Sequence, residues 1–438
     1  MSTTPKIIVL DDDPTGSQTV HSCLLLLKWD VDTLVMGLQD ESPIVFILTN
    51  TRALSPKQAQ AVTAEVCHNL KAAIPQAGIE EFLVVSRSDS TLRGHYPIET
   101  DAIAAELGPF DAHFMVPAFF EGGRITRNST HYVMQNGMAV PAHETEFARD
   151  SVFGYSTAYL PDYVEEKTKG SIAANQVERF PLDRIRNGCL DALMSLENNV
   201  CVAVDGETQA DLDRFAQDVL AAAAQGKRFL FRSAASLLTA LASLPPQPIA
   251  AADMAQYVKD HHPGAVLVGS HVKKTTQQLS VLLQEPDVIG VEVDVTQMVE
   301  DAAAGRSLLL SSTLDKVRQI HSQGQTPAIY TTRQELTFPD VQTRLEFGVQ
   351  VSALLMDIVR GLPSDLGFLI SKGGITSNDT LSQGLALRTT RLLGQILPGV
   401  SVVRTSETHP QFAAMPVVLF PGNVGDENAL ALAYQRLT

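Results

Sequence analysis

The stretch IIVLDDDPTGSQTVH, residues 7–21, sets a run of apolar residues directly against three aspartates and a Pro-Thr-Gly turn. The apolar run has the length of a buried strand, and the turn residues end it. Unpaired carboxylates are costly to desolvate, so packing alone does not put Asp11, Asp12 and Asp13 at a strand end. The cluster points instead to a site that holds a cation, takes a proton or grips a hydroxyl. Ligands of open α/β sheets bind beyond the carboxyl ends of the strands. The fold therefore turns on whether the pattern of strand followed by polar cluster recurs.

It recurs through the chain. β-rich apolar runs fall at 6–10, 44–49, 82–86, 113–117, 200–204 and 228–231, and then at 265–269, 288–293, 328–332, 367–371 and 417–420. Helix-periodic segments lie between many of them. One begins at Ser55 with Pro56 in its first turn, and another runs from Thr208 to Gly226. TRLEFGVQVSALLMDIVRG and NDTLSQGLALRTTRLLGQI repeat the helical pattern later. The alternation predicts an α/β protein of two domains, each a mainly parallel sheet flanked by helices, with the active site in the interdomain cleft. The Pro/Ala-rich stretch 243–256 divides the 438 residues into expected domains 1–245 and 257–438.

Forty-nine acidic against 33 basic residues leave a net charge of −16, which argues against nucleic-acid and anionic-membrane partners. An anionic ligand must then be met by locally placed Arg and Lys. Cys23, Cys67, Cys189 and Cys201 form no CxxC or zinc spacing and read as free thiols in a reducing compartment. No signal-peptide pattern precedes the first strand, and no apolar run is long enough to span a bilayer, so a cytoplasmic location is expected.

Four constellations carry possible chemistry. Asp11-x-Asp13-x-Thr15 resembles the motif of haloacid-dehalogenase phosphatases, in which Asp11 would attack phosphorus and Asp13 act as acid/base. That reading also needs a later Lys and acidic pair, and no second Asp-Asp occurs. SRSDSTLRGHYPIET, from Ser86, packs Arg87, Asp89, Ser90, Arg93 and Gly94 together ahead of Glu99, and the polar cluster 50–52 adds Arg52. Guanidiniums beside hydroxyls and a carboxylate suit a polyhydroxy acid. VPAFFEGGRITRNSTHYV adds Gly122, Gly123, Arg124 and His131, the last either a base or a framework histidine. Glycine turns after strands can cradle phosphate. They occur at Gly269–Ser270, at Lys372-Gly373-Gly374 with Thr376, and at Gly422-Asn423 with Gly425. None is a Walker A motif.

Taken in order, DDDPTG, SDSTLRG, VPAFFEGGRIT…HYV, HETEFARD, GSHVKKTTQQ, KGGITS and PGNVG resemble the four-carbon acid sugar kinase family, over most of the chain. The chain departs from the family's pattern at Pro14, at Ile375 and at the turn following Ser270. The resemblance implies a sugar-acid-binding first domain, a nucleotide-binding second domain, and phosphorylation of erythronate, threonate or a 3-oxo-tetronate by ATP with Mg²⁺. On this reading Asp13 or Asp89 is the base, and Asp12, Arg52, Arg87, Ser90, Arg93, Gly94 and Arg124 hold the acid. Ser270, Gly373, Gly374, Thr376, Gly422, Asn423 and Gly425 surround the nucleotide, Lys372 or Arg124 neutralises the moving phosphoryl, and no protein residue is assigned to the metal. A small-molecule substrate and a homodimer are the expected partners. A non-catalytic sugar-acid sensor is the remaining alternative.

Overall fold

The computed structural model describes residues 5–135, 137–270, 272–299, 302–333 and 336–438. Contacts divide the chain after Pro246 into two compact units.

The first unit carries β1 (Lys6–Asp11), β2 (Leu24–Leu26), β3 (Ile44–Leu48), β4 (Phe82–Arg87), β5 (Ala112–Val116), β6 (Arg124–Arg127), β7 (Thr130–Gln135), β8 (Met138–Pro141), β9 (Glu178–Phe180), β10 (Val200–Val204) and β11 (Phe229–Ser233). Eight of them form a wholly parallel sheet in the order β2-β3-β1-β4-β11-β5-β10-β9. Every residue of β1, β3, β5 and β11 is buried. A parallel sheet covered on both faces demands this, and it explains why these strands read as unbroken apolar runs. Ile8, Leu10, Val45, Ile47 and Val84 pack against Leu34, Val66, Leu70 and Ile103 from three helices. The helix Pro56–Gln76 starts at Ser55, whose hydroxyl accepts from the Gln58 N–H, as its sequence predicts.

In the second unit lie β12 (Ala265–Val268), β13 (Val288–Val293), β14 (Thr326–Thr331), β15 (Leu369–Lys372), β16 (Thr389–Leu397), β17 (Val400–Arg404) and β18 (Pro416–Phe420). Their order is β13-β14-β12-β15-β18-β17-β16; the first five are parallel, and β17 runs antiparallel to both its neighbours.

One sequence expectation gives way. The segment NDTLSQGLALRTTRLLGQI is not a helix. Helix persists only over Gly374–Asp379 and one wide turn to Gly384, and β16 follows. Leu381, Leu385 and Leu392 mimic a helical period, but Ala386 takes positive φ and breaks it, and the Thr-Thr pair then favours a strand. The stretch after Gly123 carries three further strands. It forms the antiparallel sheet β6-β7-β8, whose first turn, Asn128-Ser129, has positive φ at both residues as a two-residue hairpin requires.

Among the described residues no helix is long and apolar enough to cross a membrane, and the four cysteines are free and buried. The helix Gln209–Ala223 is held by a reciprocal cap between Thr208 and Asp211. Thr208→Ala should lower the unfolding free energy by about 1 kcal/mol in denaturant titrations.

Candidate active site

The site in the first unit forms where the adjacent strands β3, β1, β4 and β11 end. Asp11, the last residue of β1, is fully buried. Its Oδ1 lies 3.3 Å from Arg87 Nη1, and Oδ2 finds no partner among the described residues. Gly16 folds over this carboxyl so closely that any side chain there would overlap it. Burial raises the Asp11 pKa to about 7 against the pull of Arg87, with Asp12 and Asp13 adding to the rise. A nucleophile must reach its substrate. Asp11 is sealed, and the phosphatase reading loses its attacking group.

Strand alternation would put Asp12 and Asp13 on opposite sides. The strand stops at Asp11, however, and both carboxylates meet one guanidinium. Arg52, in the turn after β3, donates Nη2 and Nε to Asp12 and Nη1 to Asp13 at 3.2 Å. Asp12 also accepts from Ser88 Oγ at 2.8 Å and is buried. Asp13 accepts from the N–H and hydroxyl of Thr15 and is the most open of the triplet. Burial pushes its pKa up, but Arg52, Arg87 and the Thr15 bonds outweigh that and lower it.

Beyond β4, Asp89 accepts from Arg93 Nε at 2.7 Å and from the Thr91 hydroxyl. Burial again opposes ionisation, yet Arg52 and Arg93 hold this carboxyl well below the usual range. The Arg93 guanidinium also lies 3.6 Å from Asp150 and 5.2 Å over the Phe147 ring. Arg124 approaches the same ring, at 5.9 Å. It donates to the Gly122 carbonyl, leaves Nε unpartnered, and forms no ion pair among the described residues. Gly94, at φ +127°, lets backbone pass beside Ser88, Arg232 and Asp12 where a Cβ would overlap the first two. Arg232 Nη1 donates to Glu99 at 2.6 Å and to Ser86 Oγ at 2.7 Å.

His131 is fully buried, with Nε2 2.7 Å from the Ser90 carbonyl and Nδ1 3.0 Å from the Thr126 hydroxyl. Burial lowers its pKa to about 4, so it braces the neutral framework around buried Ser90. Arg87 is buried inside the network, not at its surface. Sequence reasoning missed Ser88, Phe147, Asp150 and Arg232. The last carries a legible signal, a cation ending an apolar strand.

In the second unit β12, β15 and β18 are neighbours, and their glycine turns converge. A Cβ on Gly269 would overlap Thr376 Oγ1, while one on Gly373, at φ +120°, would sit 3.2 Å from both Ser270 and Thr376. Thr275 Oγ1 is 3.4 Å from Ser270 Oγ and from the Gly422 carbonyl. Lys274 Nζ is 3.3 Å from the Asn423 carbonyl, and Gly425 turns at φ +79°. Gly374 has open space around it. Lys372 does not face outward. It is fully buried, 4.4 Å over the Phe420 ring, and donates to the Pro421 and Gly422 carbonyls. Burial, aided by Lys274, lowers its pKa to about 7. Lys372 thus braces the third turn, which revises the expectation that it neutralises a phosphoryl group.

Residues 7–241 match the family model described as a sugar-binding N-terminal domain, and residues 265–430 match that of a nucleotide-binding C-terminal domain. The chain belongs to the four-carbon acid sugar kinase family. It is 28% identical over 222 residues to D-erythronate kinase of Heliobacterium modesticaldum, covering 48% of this chain and 47% of that protein. It is 27% identical over 165 residues to D-threonate kinase of Bordetella bronchiseptica, covering 36% of this chain and 38% of that one. The chain thus spans less than half the length of these curated relatives. Solved structures from Salmonella typhimurium LT2 (TM-score 0.71, 20% identity, 98% of each chain) and Haemophilus influenzae (TM-score 0.66, 17% identity, 98% of this chain and 100% of that one) share the fold.

The buried Asp11 of this family member yields a pH test. A carboxyl whose pKa is raised on folding binds more protons folded than unfolded between about pH 4 and 7, so its contribution to stability falls as pH rises through that window. Asp13 and Asp89 have lowered values, so their contribution is complete above about pH 4 and is lost only as pH falls below it. The unfolding free energy of Asp11→Asn relative to wild type should therefore rise steadily from pH 4 to 7. A flat difference across denaturant titrations would contradict the raised value.

Proposed function

We propose that the protein is an ATP-dependent kinase that phosphorylates a hydroxyl of a four-carbon sugar acid of the erythronate, threonate or 3-oxo-tetronate type. The observation that carries this reading is Arg124. It is a half-buried guanidinium with a free Nε and no ion pair among the described residues, set with Arg93 on one aromatic face close to Asp89. Such a pair of forks suits a carboxylate, and the neighbouring carboxylates Asp13 and Asp89 suit the hydroxyls of the same small molecule. The names and domain models of the relatives support the same chemistry.

In this reading Arg93 and Arg124 take the substrate carboxylate, and Gly94 and Ser90 shape the wall beside it. Asp13 is the base, since its side chain is 22% exposed against 14% for Asp89 and 2% for Asp12. Arg52 aims Asp13, and buried Asp12 and Arg87 hold Arg52 and Asp11 in register. A lowered pKa keeps Asp13 ionised at neutral pH. That makes it a weak base, which phosphoryl transfer tolerates because positioning and charge neutralisation dominate. Ser270, Gly373, Gly374, Thr376, Gly422, Asn423 and Gly425 line the nucleotide. Their donor set is hydroxyls and backbone groups, which fits phosphate oxygens. Mg²⁺ would be held chiefly by the ATP phosphates and by water and would supply neutralisation of phosphate charge, and Ser270 and Thr376 are the hydroxyls of the turns that could join its shell.

The test is ADP release from Mg-ATP in the presence of individual four-carbon acids. Turnover should require the acid, and a rate indifferent to every acid would overturn the proposal. Asp13→Asn should lower kcat by roughly 10²–10⁴-fold with little change in KM. Arg124→Met should instead raise the KM for the acid by about 10-fold or more. If Asp89→Asn abolishes kcat while Asp13→Asn spares it, the base is Asp89.

A further inference from the structure

One cation at the nucleotide end belongs to none of the three glycine turns. β14 borders β12 on the side away from β15, and just past its carboxyl end the chain reaches Arg333. Arg333 Nη2 donates to the Ser270 carbonyl at 2.7 Å and to the Thr276 hydroxyl at 2.8 Å, and Nε donates to the same hydroxyl at 3.3 Å. Two edges of the guanidinium thus clasp the first turn and the start of the helix Lys273–Leu282. The third nitrogen, Nη1, is buried and has no acceptor among the described residues. A buried donor without a partner loses its hydration and gains nothing in return.

Charge makes the same point. With 49 acidic residues in the chain, an arginine placed only for structure has many carboxylates to choose from. Glu292 and Tyr330 are near enough to favour the charged form, yet burial outweighs them and lowers the Arg333 pKa, and no carboxylate pairs with it among the described residues. Lys274 is likewise without an ion pair there, its Nζ resting 3.3 Å from the Asn423 carbonyl. Two cations beside Ser270 and Asn423, Arg333 and Lys274, are therefore left unneutralised by protein among the described residues of a strongly acidic chain. Resting on the kinase reading, we infer that Arg333 is a nucleotide-phosphate-binding residue, supplying charge and the free Nη1–H to the polyphosphate of ATP beside Ser270.

The rival role is a brace that merely holds the Ser270 turn, and three variants separate the two. Arg333→Gln keeps an amide donor for the turn but removes the charge. Arg333→Lys keeps the charge and loses the fork. Thr276→Val removes the brace's partner and leaves the charge in place. Titration calorimetry of Mg-ATP should show Kd weakened about 10- to 100-fold in Arg333→Gln, by less in Arg333→Lys, and within about threefold in Thr276→Val. An Arg333→Gln protein that binds ATP within threefold of wild type overturns the inference, as does a Thr276→Val loss as large as that of Arg333→Gln. Should Arg333→Gln fail to fold, Arg333→Lys against Thr276→Val decides by the same ratio. A wild type that binds no ATP overturns the kinase reading itself, and the inference with it; one that binds ATP indifferently to Arg333 overturns the inference alone.

Discussion

Three consecutive carboxylates at the end of a buried strand cannot stand without cations, and Arg52 and Arg87 are the cations that let β1 end as it does. Arg52 spans Asp12 and Asp13 with three nitrogens, while Arg87 faces Asp11 and Asp12 from the neighbouring strand. The parallel register places Asp11 opposite Leu48 on one side and Arg87 on the other, so the polar residues of three separate segments arrive at one level. Removing one member of such a buried set strands the charge of the others, which costs more than the pair contributes. The rest of the site inherits its geometry from this lattice. Ser88 is tied to Asp12, Gly94 passes close to both, and the chain can then present Asp89 and Arg93 to solvent.

The two units handle charge differently. In the first, the site carboxylates Asp11, Asp12, Asp13 and Asp89 already have cationic partners, and Arg124, set near the Phe147 ring, is a site cation with no ion pair among the described residues. That suits a ligand with one carboxylate and several neutral hydroxyls. In the second, Lys274 and Arg333 flank the glycine turns without ion pairs among the described residues. A ligand bearing several negative charges is the natural complement to such a cluster. Lys372 contributes indirectly: it ties two carbonyls of the third turn back onto the core, so that the backbone there points its other groups outward.

Much of the fold is legible because parallel strands buried on both faces read as apolar runs that end in turns. The starts of the helices at Ser55 and Thr208 are legible for the same local reason, a side-chain oxygen that caps free N–H groups. Features set by long-range pairing are not. β16 has leucines at helical spacing, and its pairing with β17 helps to make it a strand. The polar residues of the glycine turns and of the loop after β4 stand out as motifs in sequence. Arg333 stands in no motif, and Phe147 becomes significant only once Arg93 and Arg124 are found on its face.

The opening triplet resolves into three functions graded by depth. Asp11 is sealed under Gly16 with a pKa near 7 and serves the fold, at the expense of an unpartnered oxygen. Asp12 is buried but fully engaged, and links Arg52 to Ser88. Asp13 is half-buried, ionised and aimed by the same guanidinium. Because Arg52 holds Asp12 with two nitrogens and Asp13 with one, the inner contact fixes the guanidinium plane and the outer one is free to adjust. Precision at the surface therefore derives from saturation beneath it, and the role proposed for Asp13, meeting a substrate hydroxyl, calls for a carboxylate mounted on a fully engaged neighbour.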